Sequence, residues 1–283
     1  YEISCSLVGS EMCIRDSRYI DTAIPHIPVT AHGLKENGYA TIATTNWLPY
    51  SWSVNNIAFA EVMHTALSYF QAGRAEAGYK LLKSSVLDGM YLGDSPGNFG
   101  QISFYDAARG ECYRDFGDPI GVASRVLIQG LFGILPDALN QQIILRPGFP
   151  DDWDKASVST PDISYRFTRK EDTDTYHITQ RFQTPLHPVL QINARKEKIR
   201  SVKVNGVPAT WQSIESAHGY PLLSIQAEGT SSTTITIEWE GASLHTLAVQ
   251  ELVIASNGKL ALQIPSGLSL IHISEPTRLQ LIS

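Results

Sequence analysis

The sequence predicts an α+β chain divided by segment, with helical hairpins first and an antiparallel β-sandwich after them. Two observations carry that expectation. Apolar residues recur at helical spacing up to about Ile134 and at strand spacing beyond Pro136. In the later part, Gly, Pro and Asn-Gly also punctuate the chain into seven or eight short runs, which suits hairpins and not βαβ units. Composition agrees, since 43% of the 283 residues are hydrophobic and 18% charged. That is a globular profile, and it excludes a disordered, collagenous or coiled-coil chain.

The elements follow in order. Ser53, Asn55 and Asn56 offer capping oxygens to a first helix, whose buried face is Phe59, Met63, Ala66 and Phe70, with Gly73 as its stop. A second helix starts near Arg74, carries Tyr79, Leu82, Val86 and Met90 on one side, and ends at Gly93. So short a link makes the two an antiparallel αα-hairpin. Residues 93–117 read as a long irregular stretch. Asp118 then acts as N-cap with Pro119 at the first helical position, opening a third helix over 120–132 that Gly133 ends. Strands are expected at 142–146, 163–167, 175–183, 189–194, 199–204, 222–226 and 233–239. In the last, Ile235, Ile237 and Trp239 alternate with Thr234, Thr236 and Glu238. Asn205-Gly206 predicts a type I′ turn joining 201–204 to 207–211, and Asn257-Gly258 predicts another joining 252–255 to 260–264.

Charge and cysteine usage remove whole classes of function. A net charge of −6 without clustered Lys or Arg argues against nucleic acid as a partner. The longest apolar run, residues 126–135, is broken by Gln129, Gly130 and Gly133 and falls short of the ~18 residues of a membrane span. Both ends read as translated sequencing-library adapter. Residues 7–16 (LVGSEMCIRD) match one strand of a transposase adapter and residues 268–278 (LSLIHISEPTR) the other. On that reading Cys5 and Cys13 belong to the flank, and Cys112 alone makes neither an internal disulfide nor a zinc site.

Chemistry concentrates in the irregular stretch. Asp106, Glu111, Asp115 and Asp118 are interleaved there with Arg109, Arg114, Phe104, Tyr105, Tyr113 and Phe116. Long loops of acids and aromatics bind ligands, and glycoside chemistry needs this mixture: one acid to protonate the leaving oxygen, one carboxylate to activate water, rings to hold the sugar. The alternative is a capping Asp118 with loop ion pairs Asp106–Arg109 and Asp115–Arg114. Trp47, Tyr50 and Trp52, on a Pro-containing loop, suit either a sugar-stacking platform or a hydrophobic plug at the first helix. Glu61-x-x-His64 is half of a di-iron pattern and has no second copy, so it reads as a surface pair. Neither His-Glu-x-x-His nor Gly-x-Ser-x-Gly occurs.

The run GLFGILPD at 130–137, followed by ILRPGFP at 144–150 and Asp152-Trp153, resembles the junction of six-hairpin glycosidases. There the last helix of an (α/α)6 barrel hands over to a C-terminal β-sandwich. Trp47–Ser53, DAARGE at 106–111 and RDFGDP at 114–119 are similar, more narrowly, to the bacterial domain of unknown function 4450. The resemblance implies a partial (α/α)6 toroid over 18–135, a sandwich over 136–245 and the start of a further β element over 246–267, flanked by adapter at 1–17 and 268–283. It implies Asp106 as general base, with Glu111 and Asp115 next in order, and Trp47, Trp52, Tyr105, Arg109 and Arg114 as substrate-binding residues. Tyr105-Asp106 stands where relatives carry Trp-Glu. The proton donor would lie on an earlier hairpin, so the piece alone would be inactive. The expected substrate is an oligosaccharide or polysaccharide of plant or microbial origin. No metal or organic cofactor is implied, and a periplasmic or secreted parent is. A non-catalytic carbohydrate-binding relative and a polysaccharide lyase on the same fold are the alternatives.

Overall fold

The structure is a computed structural model, and it describes residues 26–28, 40–42, 57–87, 104–106, 111–113, 118–214 and 222–244. The chain clusters into two compact units, Tyr1–Thr246 and Leu247–Ser283, and every described residue belongs to the first. The adapter-like ends and the expected hairpin at 252–264 lie outside the described residues.

Short strands β1 (His26–Pro28) and β2 (Ala40–Ile42) pair antiparallel, and Ile42 is buried in the core. Strand β3 (Ile57–Ala58) runs straight into helix α1 (Phe59–Gln71). The N-cap of α1 is therefore Ala58, in extended backbone with no capping side chain. Ser53, Asn55 and Asn56 lie outside the described residues. The expected face of α1 is inside, with Phe59, Met63, Ala66 and Phe70 all buried. Its end has two nested bonds, Gly73 N–H to the Phe70 carbonyl (3.0 Å) and Arg74 N–H to that of Tyr69 (2.9 Å). Gly73 takes a φ of 70° there, as a helix-stopping glycine does. Helix α2 (Ala75–Val86) returns after three residues. Strands β4 (Phe104–Asp106) and β5 (Glu111–Tyr113) precede helix α3 (Asp118–Arg125).

Beyond Arg125 the third helix widens into a π-helical turn, Val126–Leu131, closed by Phe132 N–H donating to the Leu127 carbonyl (3.0 Å). The helix expected over 120–132 is present, its second half π-helical, and its end packs closely on the first helix. Phe70 lies against Gly130, where an added Cβ would sit 2.7 Å from the ring, and against Gly78 of α2, where it would sit 3.0 Å away. A Cβ at Gly148 would strike the same ring. Three elements thus converge on one phenyl group, each through a residue without a side chain. Gly133, with a φ of 62°, then turns the chain. A Cβ there would collide with the Arg146 carbonyl, because the two backbones touch. Arg146 N–H donates to the Gly133 carbonyl (2.8 Å) and Gly148 N–H to that of Leu131 (3.0 Å). The corner leads into β6 (Ile134–Asp137), which pairs antiparallel with β7 (Gln142–Leu145).

The sandwich follows. After β8 (Lys155–Ser159), β9 (Ile163–Lys170) and β10 (Thr173–Gln180), the chain crosses to β11 (His187–Asn193). It continues through β12 (Lys196–Val204), β13 (Val207–Pro208), β14 (Gln212–Ile214), β15 (Leu222–Gln226) and β16 (Ser232–Ser243). One sheet has the order β13-β12-β16-β10-β9-β8 and the other β14-β15-β11-β7-β6. The expectation of a wholly antiparallel sandwich is corrected at one place, since β11 runs parallel to β7. Strands β8 to β10 lie in the opposite sheet between them, the long crossover that a parallel pair requires. Asn205 and Gly206 both have positive φ (51° and 80°), as a type I′ turn demands. The second arm stops at Pro208 and not at Trp211, with one further bond from Ala209 N–H to the Val202 carbonyl (2.9 Å). Residues 212–214 join the other sheet.

Aromatic rings bind the helices to this sandwich. Tyr79 of α2 meets Trp153 edge-on at 4.9 Å, Trp153 stacks on Phe149, and Phe149 stacks on Phe167 at 5.1 Å. Phe132, at the helix end, meets Phe149 edge-on at 5.4 Å. Beneath them Asp174 is 1% exposed. It accepts from Arg169 Nε (2.9 Å) and Trp239 Nε1 (3.0 Å), with Arg195 Nε 3.4 Å away. A buried carboxylate is tolerable only when paired and hydrogen-bonded, and here two guanidinium groups and an indole do both. Burial and the Asp174 charge together push the Tyr176 hydroxyl far above the usual phenol range.

Two stability measurements test this account. Gly133→Ala is expected to lower the unfolding free energy by about 1–3 kcal/mol in urea titration, through steric clash at the corner. Gly206→Ala, which also has positive φ but open space around it, should cost less. Asp174→Ala is expected to cost about 3–5 kcal/mol, because it strands two partly buried guanidinium groups without their counter-charge.

Candidate functional site

The segment read as irregular contains a hairpin. Phe104, Tyr105, Cys112 and Tyr113 are residue types that favour extended backbone, and Gly110 sits in the four-residue connection. Strands β4 and β5 pair antiparallel with Phe104 opposite Tyr113, Tyr105 opposite Cys112 and Asp106 opposite Glu111. Strand β3 adds a third member, with Ile57 opposite Tyr105 and Ala58 opposite Phe104. Since Phe59 begins α1, backbone hydrogen bonds tie the hairpin to the two residues that lead into the first helix.

This geometry sorts the expected site residues. Asp106 and Glu111 form the last register pair before the connection. Trp47, Trp52, Arg109, Arg114 and Asp115 lie outside the described residues. Asp118 begins α3 with Pro119 next, within a residue of the expected cap. Glu61 and His64 are both exposed on α1. Among the described residues no group of three or more His, Cys, Asp or Glu is arranged to hold a metal ion. No helix among them is long and apolar enough to cross a membrane.

Sequence reading missed the tie to β3, because two residues before a helix carry no strand signal of their own. It also missed β8, although Lys155–Ser159 alternates exposed and half-buried positions, because Ala156 and Val158 are its only apolar residues. A cavity at the edge of the sandwich had no sequence signal, since its lining comes from four separate segments.

No family model matches the chain, and no curated protein does. Among solved structures, it is similar to an α-L-rhamnosidase from Dictyoglumus thermophilum, with 12% identity and a TM-score of 0.41 over 64% of this chain and 21% of that one. It is similar to the Streptomyces avermitilis α-L-rhamnosidase, with 12% identity and a TM-score of 0.38 over 65% and 18%. A GH127 β-L-arabinofuranosidase from Geobacillus stearothermophilus T6 matches with 11% identity and a TM-score of 0.29 over 65% and 32%. These neighbours are glycoside hydrolases. The chain spans about a fifth of the length of each rhamnosidase and about a third of the arabinofuranosidase.

The hairpin register is directly testable. Tyr105→Cys places a thiol opposite Cys112, within the reach of a disulfide. Mild oxidation is expected to link the two, as read by peptide mass mapping, whereas Phe104→Cys should leave Cys112 unlinked. A slip of one residue would reverse the two results.

Proposed function

We propose that the chain is the C-terminal part of a six-hairpin glycoside hydrolase-like protein, similar to the domain of unknown function 4450. Its helices would be the closing portion of an (α/α)6 toroid and its strands the sandwich that follows. The observation that carries this reading is the register of Asp106 opposite Glu111, on a hairpin tied to the start of α1. The corner from Gly130 to Gly148 supports it, because backbone contact there binds the last helix to the first strands of the sandwich.

The chemistry follows from the register. Asp106 and Glu111, opposite one another in the hairpin, stand on one side of the reaction, Asp106 as base toward water and Glu111 next in order, and an inverting donor stands across a gap of roughly 6.5–9.5 Å. Asp115 is the third acid in order. The proton donor comes from a hairpin earlier in the parent. Trp47, Trp52 and Tyr105 supply ring faces and Arg109 and Arg114 donors to the glycan, which is of plant or microbial origin and met in the periplasm or outside the cell. No metal or organic cofactor takes part.

Turnover of aryl glycosides by the complete gene product tests this. Asp106→Asn is expected to lower kcat by about 10²–10⁴-fold. Glu111→Gln should lower it less, and the 283-residue chain by itself should show no turnover. Full activity in both variants would refute the assignment, and an unsaturated product would turn the reading to a lyase.

A further inference from the structure

A cavity of about 300 Å³ opens at one edge of the sandwich, where the chain leaves β13 and crosses to β14. Three neighbouring strands of the second sheet build one wall, with Gln142 on β7, His187 and Val189 on β11, and Gln226 on β15. Val204, Val207 and Pro208 from the β12–β13 hairpin make the other wall, which is apolar.

The polar groups restrict what fits. Gly229 N–H donates to His187 Nδ1 at 3.0 Å. Glu228 Oε2 lies 3.6 Å from the same nitrogen. Gln142 and Gln226 each offer a donor and an acceptor. Glu228 is the sole charged residue of the lining, and it is acidic. With no Lys or Arg in the lining, phosphate, sulfate and uronate meet no counter-charge, while the amides and the imidazole disfavour a purely apolar guest. A cation would find one exposed carboxylate. A neutral polyhydroxylated ring matches on both sides: its hydroxyls can exchange bonds with two amides, an imidazole and a carboxylate, while its C–H face lies on Val204, Val207 and Pro208. The volume stands at the lower end of the ~300–1,000 Å³ typical of ligand sites.

We infer that this cavity is a glycan-docking subsite for one uncharged sugar residue. It is separate from the Asp106–Glu111 hairpin and does not rest on the proposed hydrolysis.

Methyl-resolved NMR of the full 283-residue chain tests it, titrating D-glucose, D-galactose and L-rhamnose against D-glucuronate and inorganic phosphate. The neutral sugars are expected to shift the Val189, Val204 and Val207 methyl signals with a Kd of about 1 mM. Val207→Ser and Gln226→Leu, both at exposed positions of the lining, should weaken binding by about tenfold while the remaining spectrum is unchanged. Asp106→Asn should leave binding intact, so docking is read apart from the turnover assayed in the complete gene product. No methyl shift with any neutral sugar, equal binding by both variants, or preference for glucuronate or phosphate would each overturn the inference.

Discussion

Phe70 is the point on which the architecture turns. Its ring occupies the space that side chains at Gly78, Gly130 and Gly148 would otherwise fill, so α2, the π-helical turn and the loop after β7 close on one phenyl group. Interiors pack at crystal density, and a contact of this kind admits neither a smaller ring nor a larger neighbour without movement. The widened turn at Val126–Leu131 carries Gly130 against the ring and leads to Phe132 in the aromatic cluster. Gly133 and the Arg146 carbonyl then fix where the first sandwich strands begin. Helices and sheets are one packed body because of these few contacts.

The aromatic series and the Asp174 network extend the constraint inward. Tyr79, Trp153, Phe149 and Phe167 run from a helix surface to the centre of the six-stranded sheet, and Arg169 lies over the last ring while bonding Asp174. A charged pair is an uneconomical way to fill a core, but it fixes register: Arg169, Asp174, Arg195 and Trp239 come from β9, β10, the link into β12, and β16. A slip of any one strand would separate the charges. The hairpin carrying Asp106 and Glu111 is tied by its ladder to two residues, Ile57 and Ala58, at the head of α1.

Periodicity made most of the framework legible in the sequence. Phe59, Met63, Ala66 and Phe70 mark one helix face, Ile235, Ile237 and Trp239 mark one strand face, and Asn205-Gly206 marks a turn whose two positive φ angles only such residues adopt readily. Each of these signals is local. What escaped depends on partners remote in sequence. The parallel placement of β11 beside β7 is decided by where three intervening strands go. The extended backbone at 57–58 is decided by pairing with residues nearly fifty positions later. At the candidate site, Asp106 and Glu111 were legible as acids in an aromatic context, but their opposition across a ladder was not, because a hairpin with a four-residue connection leaves little alternation to read. The lining of the sandwich cavity, gathered from β7, β11, β15 and the β12–β13 turn, had no linear trace at all.

The parallel pairing of β7 with β11 has a kinetic consequence. Strand β11 has no local partner when it emerges, and its neighbour β15 is still to come. The hairpin of β9 and β10 must first form and dock across the core before β11 can find β7 on the far side. Closing so wide a circuit is slow compared with forming an adjacent ladder, so the second sheet completes late in refolding. During that interval the inward residues of β7, Ile143 and Leu145, remain uncovered, and the chain is at its most adhesive toward other copies of itself.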